Sequence, residues 1–198
     1  MSKLIQMRGR IQTIETIRKV TDAMRIISMS AHSRLKAKQD PMNAYLNTLS
    51  ILLAKVQQAT PSWSNERLMP KNEHSNPLFI VIGSQKGLCG NFNTQITKFF
   101  TRHLQDFSFT HYHCIAIGKK AVDYMQENHR NNIIQTFPTL TAHNFLTIAQ
   151  NLCDFVMTSV TPYTQVIIFS NTFKSFFIQK PTITHLIPFD QKKTCCSY

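Results

Sequence analysis

A glycine-rich segment, residues 83–90, is the first place where the sequence suggests chemistry. It follows a continuous apolar run and precedes an amphipathic stretch, so we place it between a buried strand and a helix. Backbone N–H groups at such a helix start can bind phosphate. The spacing fits neither GxGxxG nor the P-loop, because no Lys-Ser or Lys-Thr pair follows the last glycine. Two interpretations stay open: a nucleotide-binding loop, and a tight turn that needs positive φ at its glycines.

Cysteines and histidines are the next candidates. Cys89 lies beside the predicted helix start, but no acid–base cluster can be placed beside it, so we assign no catalytic residue. Cys89, Cys114 and Cys153 each lie in apolar sequence and are predicted to be small buried hydrophobes. A zinc site from His111, His113 and Cys114 is conceivable, yet the usual paired-ligand spacing is absent. We therefore predict neither a metal site nor a cofactor.

The charge balance implies an acidic partner. The 198 residues carry a net charge of +12, which suits nucleic acid, an anionic membrane surface or an acidic protein cavity. No apolar run reaches the roughly 18 residues that span a membrane. Charged residues interrupt the N-terminus, so we predict no signal peptide and a reducing, cytosol-like compartment.

The first 35 residues predict a long helix with a narrow apolar seam. Apolar residues recur every three or four positions, near the coiled-coil period of about 3.5. The seam residues are Leu4, Met7, Ile11, Ile14, Ile17, Val20, Met24, Ile27, Ala31 and Leu35. Basic residues flank the seam: Arg8, Arg10, Arg18, Lys19, Arg25, Arg34, Lys36 and Lys38. A narrow seam favours one long partner helix over the alternative, two helices of a small bundle.

Proline then divides the pattern. Pro41 is predicted to kink or interrupt the helix before a second helical segment at residues 45–56. Residues 59–77 contain three prolines among polar residues and predict a linker between a helical segment, 1–58, and an α/β domain, 78–189. Residues 190–198 form an atypical tail.

Residues 78–189 alternate between strand and helix patterns, which predicts a Rossmann-like α/β domain with a mostly parallel sheet. Predicted strands cover residues 78–83, 113–117, 133–134, 166–169, 173–178 and 183–187. Predicted helices cover residues 92–104, 119–128 and 145–160.

Three segments resemble the gamma subunit of the F-type ATP synthase. Residues 11–35 are similar to its N-terminal helix, with the core Lys-Val-Thr-Asp-Ala-Met at 19–24. Residues 81–93, VIGSQKGLCGNFN, are similar to its strand, basic residue, Gly-Leu-Cys-Gly and helix. Residues 166–189 resemble a third hallmark: a strand, Asn-x-Phe, Gln-x-Pro and a Leu-x-Pro ending. The three motifs occur in the family's order.

The resemblance implies a non-catalytic central shaft that couples ion flow to ATP synthesis. In the family, the N- and C-terminal helices form an antiparallel coiled coil inside a hexamer of alpha and beta subunits. The α/β domain lies at the base, against the epsilon subunit and the c-ring. The catalytic residues belong to beta. The resemblance implies no cofactor, no nucleic acid, and a peripheral position on the cytoplasmic face of the inner (plasma) membrane, reached only through the complex.

The resemblance also assigns functional residues. Shaft contacts to the catalytic subunits would be Lys19, Thr21, Met24 and Ile27. The base-of-shaft motif would be Lys86, Gly87, Leu88, Cys89 and Gly90, and the second motif of the domain Asn171, Phe173, Gln179 and Pro181.

This sequence departs from the family in two ways. Gln85 stands where the family has an acidic residue before the basic one. The family's C-terminal helix has no counterpart before Tyr198, so we expect a truncated shaft that does not support rotary coupling by itself. The alternatives are a basic nucleic-acid-binding protein and a nucleotide-binding α/β protein using residues 83–90.

Overall fold

The computed structural model describes residues 2–60, 76–107, 109, 111–160, 162–175 and 178–188. The chain forms two compact units, Met1–Pro61 and Ser62–Tyr198. Most of the predicted linker, at 61–75, and the predicted tail, at 190–198, lie outside the described residues.

The first unit is one long helix, α1, covering Ser2–Ala59. The apolar seam lies on its surface, and Met24, the least exposed of the large seam residues, is still 49% exposed. Four threonines and a serine along α1 donate hydroxyl hydrogen bonds to the carbonyl four residues earlier. Such bonds let these side chains fit a helix interior that they otherwise disfavour.

The predicted interruption at Pro41 is wrong, because α1 continues through this residue. Proline lacks the N–H that would bond the carbonyl of Ala37, so the helix loses one hydrogen bond there. Both residues are exposed, which lets water replace the missing partner. The segment predicted separately at 45–56 is therefore the end of the same helix.

In the second unit the described residues form a five-stranded sheet, three α-helices and a short 3₁₀ helix at Arg130–Asn132. Its elements are β1 Pro77–Ile82, α2 Phe92–Phe107, β2 His113–Ile117, α3 Lys119–Asn128, β3 Ile133–Phe137, α4 Phe145–Thr158, β4 Gln165–Phe173 and β5 Gln179–Ile187. The strand order is β3-β2-β1-β4-β5. The first four strands in this order pair in parallel and β5 pairs antiparallel with β4. The predicted fold class, a long helix plus a mostly parallel α/β domain, is confirmed.

Alternating residues of the strands bury into two layers. On one face of β1, Phe79 and Val81 pack with α2 and α3; on the other, Leu78 and Ile80 pack with Ile148 of α4. Parallel strands covered on both faces read as continuous apolar runs, which explains the sequence of β1. The domain is therefore an α/β/α sandwich whose βα connections gather at the carboxyl edge of the sheet.

One predicted strand is a connection instead. Residues 173–178 were expected to close the sheet, but β4 ends at Phe173 and β5 begins at Gln179, so the described residues Lys174, Ser175 and Ile178 lie between the two strands of a hairpin. Lys174 and Ser175 donate backbone hydrogen bonds to the Ile178 carbonyl at 3.1 and 3.0 Å, which closes the turn. Phe176 and Phe177 lie outside the described residues.

Candidate functional site

The four predicted shaft contacts all lie on the exposed surface of α1. At 3.6 residues per turn, Thr21, Met24 and Ile27 follow one another about 60° apart, and Lys19 lies about 80° beyond Ile27. The Thr21 hydroxyl donates to the Ile17 carbonyl at 2.8 Å, so this side chain lies against the helix backbone. The structure thus brings three of the four onto one side of the helix and places Lys19 on its flank.

The charge on α1 is strongly unbalanced. The helix carries ten basic and three acidic side chains. Asp22 makes ion pairs with Arg18 at 4.0 Å and Arg25 at 3.8 Å, all on exposed side chains. Exposed pairs of this kind stabilise by about 1 kcal/mol at most. The surface of α1 therefore combines apolar side chains with excess positive charge, which suits a partner with apolar and acidic groups.

The loop between β1 and α2 is held by one amide side chain. Asn93, in the first turn of α2, accepts a hydrogen bond from the Ser84 N–H at 2.9 Å. Its Nδ2 donates to the Ser84 hydroxyl at 2.8 Å and to the Cys89 Sγ at 3.0 Å. The Ser84 hydroxyl donates in turn to the Lys86 carbonyl at 2.6 Å. Asn93 thus ties the loop at Ser84 and Cys89 to the first turn of α2.

The glycines at the strand ends are there for close packing. A Cβ on Gly83 would lie 2.8 Å from the Ala121 nitrogen, and a Cβ on Gly118 would overlap the Gly83 carbonyl oxygen. The Gly83 N–H also donates to the Ile117 carbonyl at 2.8 Å. This packing joins the carboxyl ends of β1 and β2, whereas the strand order reverses between β1 and β4, the place where nucleotides bind in doubly wound folds. Of the three glycines in residues 83–90, Gly90 alone has the positive φ that the tight-turn interpretation requires.

Two residues of the base-of-shaft motif have left-handed backbones. Gly90 has a φ of 57° and Leu88 a φ of 58°. Leu88 is also 95% exposed, so no packing contact offsets its unfavourable conformation. Lys86 and Gly87 are exposed and Cys89 is half-buried. The motif therefore presents a rigidly anchored loop with an apolar residue and a lysine facing solvent.

The four residues of the second motif form one end of the β4–β5 hairpin. Asn171 is opposite Pro181 and Phe173 is opposite Gln179 in the strand register. The Asn171 Nδ2 donates to the Phe92 carbonyl at 2.9 Å, which ties the hairpin to the start of α2. The structure thus joins two motifs that are about 80 residues apart in sequence.

Sequence reasoning missed Ser84 and Asn93, the two residues that organise the loop. An asparagine in the first turn of a helix is a signal that could have found Asn93, since such residues bond nearby backbone groups. The sequence alone does not reveal that its partner is nine positions earlier.

The cysteine prediction is right for one residue of the three. Cys114 is fully buried, and burial raises the pKa of its thiol to about 12. Cys89 is half-buried, while Cys153 is exposed and was wrongly predicted as buried. Cys153 follows Leu152 on α4, but it lies on the side of that helix turned away from the sheet. A helix buried on one face only exposes some of its apolar residues.

The residues considered for zinc do not converge. Cys114 packs in the core, His111 is exposed before β2, and the His113 Nδ1 lies 3.2 Å from the Tyr163 hydroxyl. Among the described residues, no group of three or more histidine, cysteine, aspartate or glutamate side chains is placed to hold a metal ion.

We expect Asn93→Ala to destabilise the α/β unit by about 1–3 kcal/mol, because the Ser84 N–H loses its partner in a half-buried site. The loop should also open, so the Ser84 amide should exchange with solvent faster than in the parent chain. Hydrogen-exchange mass spectrometry of residues 83–91 measures this. Gln95→Ala, an exposed position on the same helix, is the matched control. Equal exchange in the two variants would contradict the anchoring role of Asn93.

Comparison with known proteins identifies the family. A family model described as ATP synthase matches residues 3–197. The similar curated proteins are ATP synthase gamma chains. The chain belongs to the ATP synthase gamma family. The match extends over α1, the loop motif and the hairpin motif of the gamma-family fold.

Two relatives illustrate the range of similarity. The ATP synthase gamma chain of Geotalea uraniireducens is 27% identical over 192 residues, covering 95% of this chain and 66% of the relative. That of Ehrlichia canis is 29% identical over 185 residues, covering 90% and 63%. This gamma-family chain therefore spans about two thirds of the length of the curated relatives it matches.

A solved structure has the same fold. The structure of the Tetrahymena thermophila mitochondrial ATP synthase central stalk and c-ring contains a chain that is 21% identical, with a TM-score of 0.53. The match covers 67% of this gamma-family chain and 59% of the other. Among the described residues, no helix has the length and apolar content needed to cross a membrane.

Proposed function

We propose that this chain acts as a non-catalytic part of the central shaft of an F-type ATP synthase, the complex in which rotation driven by ion flow is coupled to ATP synthesis. Its membership of the gamma family is the observation that carries the proposal. The partners would be the alpha and beta subunits around α1, and the epsilon subunit and c-ring at the α/β unit. The chain would be peripheral to the membrane, on the cytoplasmic face of the inner (plasma) membrane.

The surface of α1 supports a partner that winds around it. An apolar stripe with a period near 3.5 drifts by about 20° per heptad on a straight helix of 3.6 residues per turn. A flat surface would meet only part of such a stripe, whereas a supercoiled helix follows all of it. The basic side chains beside the stripe suit acidic groups on surrounding subunits.

The α/β unit would carry the remaining contact surfaces of the shaft. At the ends of β1 and β2, Gly83 and Gly118 are in close contact, and Asn93 accepts a hydrogen bond from the Ser84 N–H. The family match favours the shaft over the nucleotide-binding and nucleic-acid-binding alternatives. The predicted base-of-shaft motif, Lys86–Gly90, remains a proposed contact surface, as do the hairpin residues Asn171, Phe173, Gln179 and Pro181.

Met24→Lys tests the proposed shaft surface. Met24 is exposed in this chain, and the proposed contact would bury it against the surrounding subunits, whereas the alternative role is packing against a partner helix of the apolar stripe. Burying such a side chain is worth roughly 1.5–3 kcal/mol, and a buried unpaired lysine costs more. We expect the affinity for the alpha–beta hexamer to fall at least about tenfold, which corresponds to about 1.4 kcal/mol. Titration of labelled chain into purified hexamer measures this affinity.

Ser33→Lys is the matched control for this experiment. Ser33 is also exposed on α1, and it lies about 180° around the helix from Met24. The Ser33→Lys variant adds the same charge away from the proposed contact, so its affinity for the hexamer should fall less than that of Met24→Lys. Equal losses for both variants would refute the predicted placement of Met24, and no binding by the parent chain would refute the proposed function.

A further inference from the structure

Two histidines lie within the layer that α2 and α3 form on the sheet. His103 is on α2, and its ring centroid is 5.2 Å from that of Phe169 and 4.6 Å from that of Phe107. His129 follows α3, with its ring centroid 5.4 Å from that of Phe100 and 5.7 Å from that of Tyr124. Both imidazoles are therefore set among aromatic rings instead of among carboxylates.

One nitrogen of each ring is buried without a partner. Among the described residues, neither the His103 Nε2 nor the His129 Nε2 has a hydrogen-bond partner. A neutral imidazole carries one hydrogen, so its second nitrogen can stay bare; a protonated ring carries a hydrogen on both. In the protonated state each Nε2 is therefore a buried donor on a charged ring, with nothing described to accept its hydrogen bond.

The groups that face the two rings do not compensate for this charge. For His103 they are Asp106 of the same helix, which favours the charged form, and His185 of β5, which opposes it. For His129 the facing groups are the Tyr112 hydroxyl, 3.0 Å from its Nδ1, and the ring of Tyr124. Asp106, the one acidic group among them, is exposed and therefore screened by water.

We propose that His103 and His129 make the α2–α3 layer sensitive to acid, so that protonation loosens this layer and releases the loop that Asn93 anchors. The link to the loop is direct. Asn93 and His103 are on the same helix, and Asn93 is the residue that holds Ser84 and Cys89. A shift of α2 away from the sheet therefore removes the support of the base-of-shaft motif.

The direction of the effect follows from linkage. Burial lowers the pKa of His129, and burial followed by His185 lowers the pKa of His103, while Asp106 raises it. Each histidine thus binds its proton more weakly in the packed layer than in an opened one. The layer is fully stable above the ordinary histidine pKa of about 6.5, and this stability is lost as the pH falls toward the lowered values.

Hydrogen-exchange mass spectrometry of the purified full chain between pH 7.5 and 5.5 tests the proposal. After correction for intrinsic exchange, protection of α2, α3 and residues 83–91 should fall by up to about tenfold per pH unit for each histidine that titrates. The double variant His103→Gln/His129→Gln keeps polar side chains but takes up no proton. It should retain its pH 7.5 protection at pH 5.5.

His143→Gln is the matched control, since His143 is exposed before α4 and outside this layer. It should leave the acid response unchanged. The proposal is overturned if protection of the parent chain does not depend on pH, or if the double variant responds to acid as the parent does. Should the double variant fail to fold, imidazole NMR titration of the parent decides: the pKa values of His103 and His129 must lie below the ordinary histidine value of about 6.5, and ordinary values for both would overturn the proposal.

Discussion

Gly118→Ala is expected to destabilise the α/β unit by at least about 3 kcal/mol. Gly118 has a φ of 89°, a conformation that side chains disfavour by about 1–3 kcal/mol. The added Cβ would also overlap the carbonyl oxygen of Gly83. Backbone cannot yield as a flexible side chain does, so β1 and β2 would have to separate at their carboxyl ends.

Urea unfolding followed by near-UV circular dichroism of the aromatic cluster measures the loss. Gly87→Ala is the control, because a Cβ there meets nothing within 4 Å. The free energy of unfolding of Gly87→Ala should differ from that of the parent by less than about 1 kcal/mol. If the two variants unfold at the same urea concentration, the close contact between the two strand ends is not a source of stability.

Phe100→Ala is expected to lower the free energy of unfolding of the α/β unit by about 3–5 kcal/mol, the range for removing a buried aromatic side chain. Phe100 is fully buried, and its ring centroid lies 5.0 Å from that of Phe169 and 5.9 Å from that of Phe79. These edge-to-face contacts join α2 to β1 and β4. Their removal leaves a cavity that the surrounding strands cannot close.

Phe107→Ala provides the comparison for this variant. Phe107 is on the same helix but 63% exposed, so its removal should cost much less. The same urea titration compares the two. A cost for Phe107→Ala as large as that for Phe100→Ala would mean that α2 is not held mainly by its buried face.

The sequence predicts the buried elements of the fold better than the exposed ones. β2 and α3 occupy the predicted residues, because an apolar run and a helical pattern meet at Gly118. β4 extends beyond its predicted end through polar residues such as Thr172, whose hydroxyl is 2.6 Å from that of Thr182 on β5. Such cross-strand pairs depend on a neighbour that the local sequence does not identify.

Two local sequence signals were misleading: a proline that predicted a helix break and an apolar run that predicted a strand. Pro41 breaks a helix when the freed carbonyl is buried, but here Ala37 is exposed and α1 continues. Apolar residues at 173–178 satisfy a strand pattern, yet they include the turn between β4 and β5. For Pro41 solvent exposure decides the outcome, and exposure is a property of the tertiary structure. For the second segment the pairing of β4 with β5 decides it.

The motifs proposed as the candidate site come from the sequence, but the hydrogen bonds that hold them together do not. The resemblance assigned functional roles to residues 86–90 and to Asn171. The structure adds that Asn93 holds the loop and that Asn171 donates a hydrogen bond to Phe92, which ties the hairpin to α2. These bonds join positions brought together by the sheet order. Local periodicity contains no information on which distant amide meets which carbonyl.

The mass of the complex formed with alpha and beta subunits tests the central claim most directly. A shaft occupies the single axis of a hexamer, so native mass spectrometry should find one copy of this chain for three alpha and three beta subunits. Three copies per hexamer, or a chain that stays free beside intact hexamer, would contradict the shaft assignment.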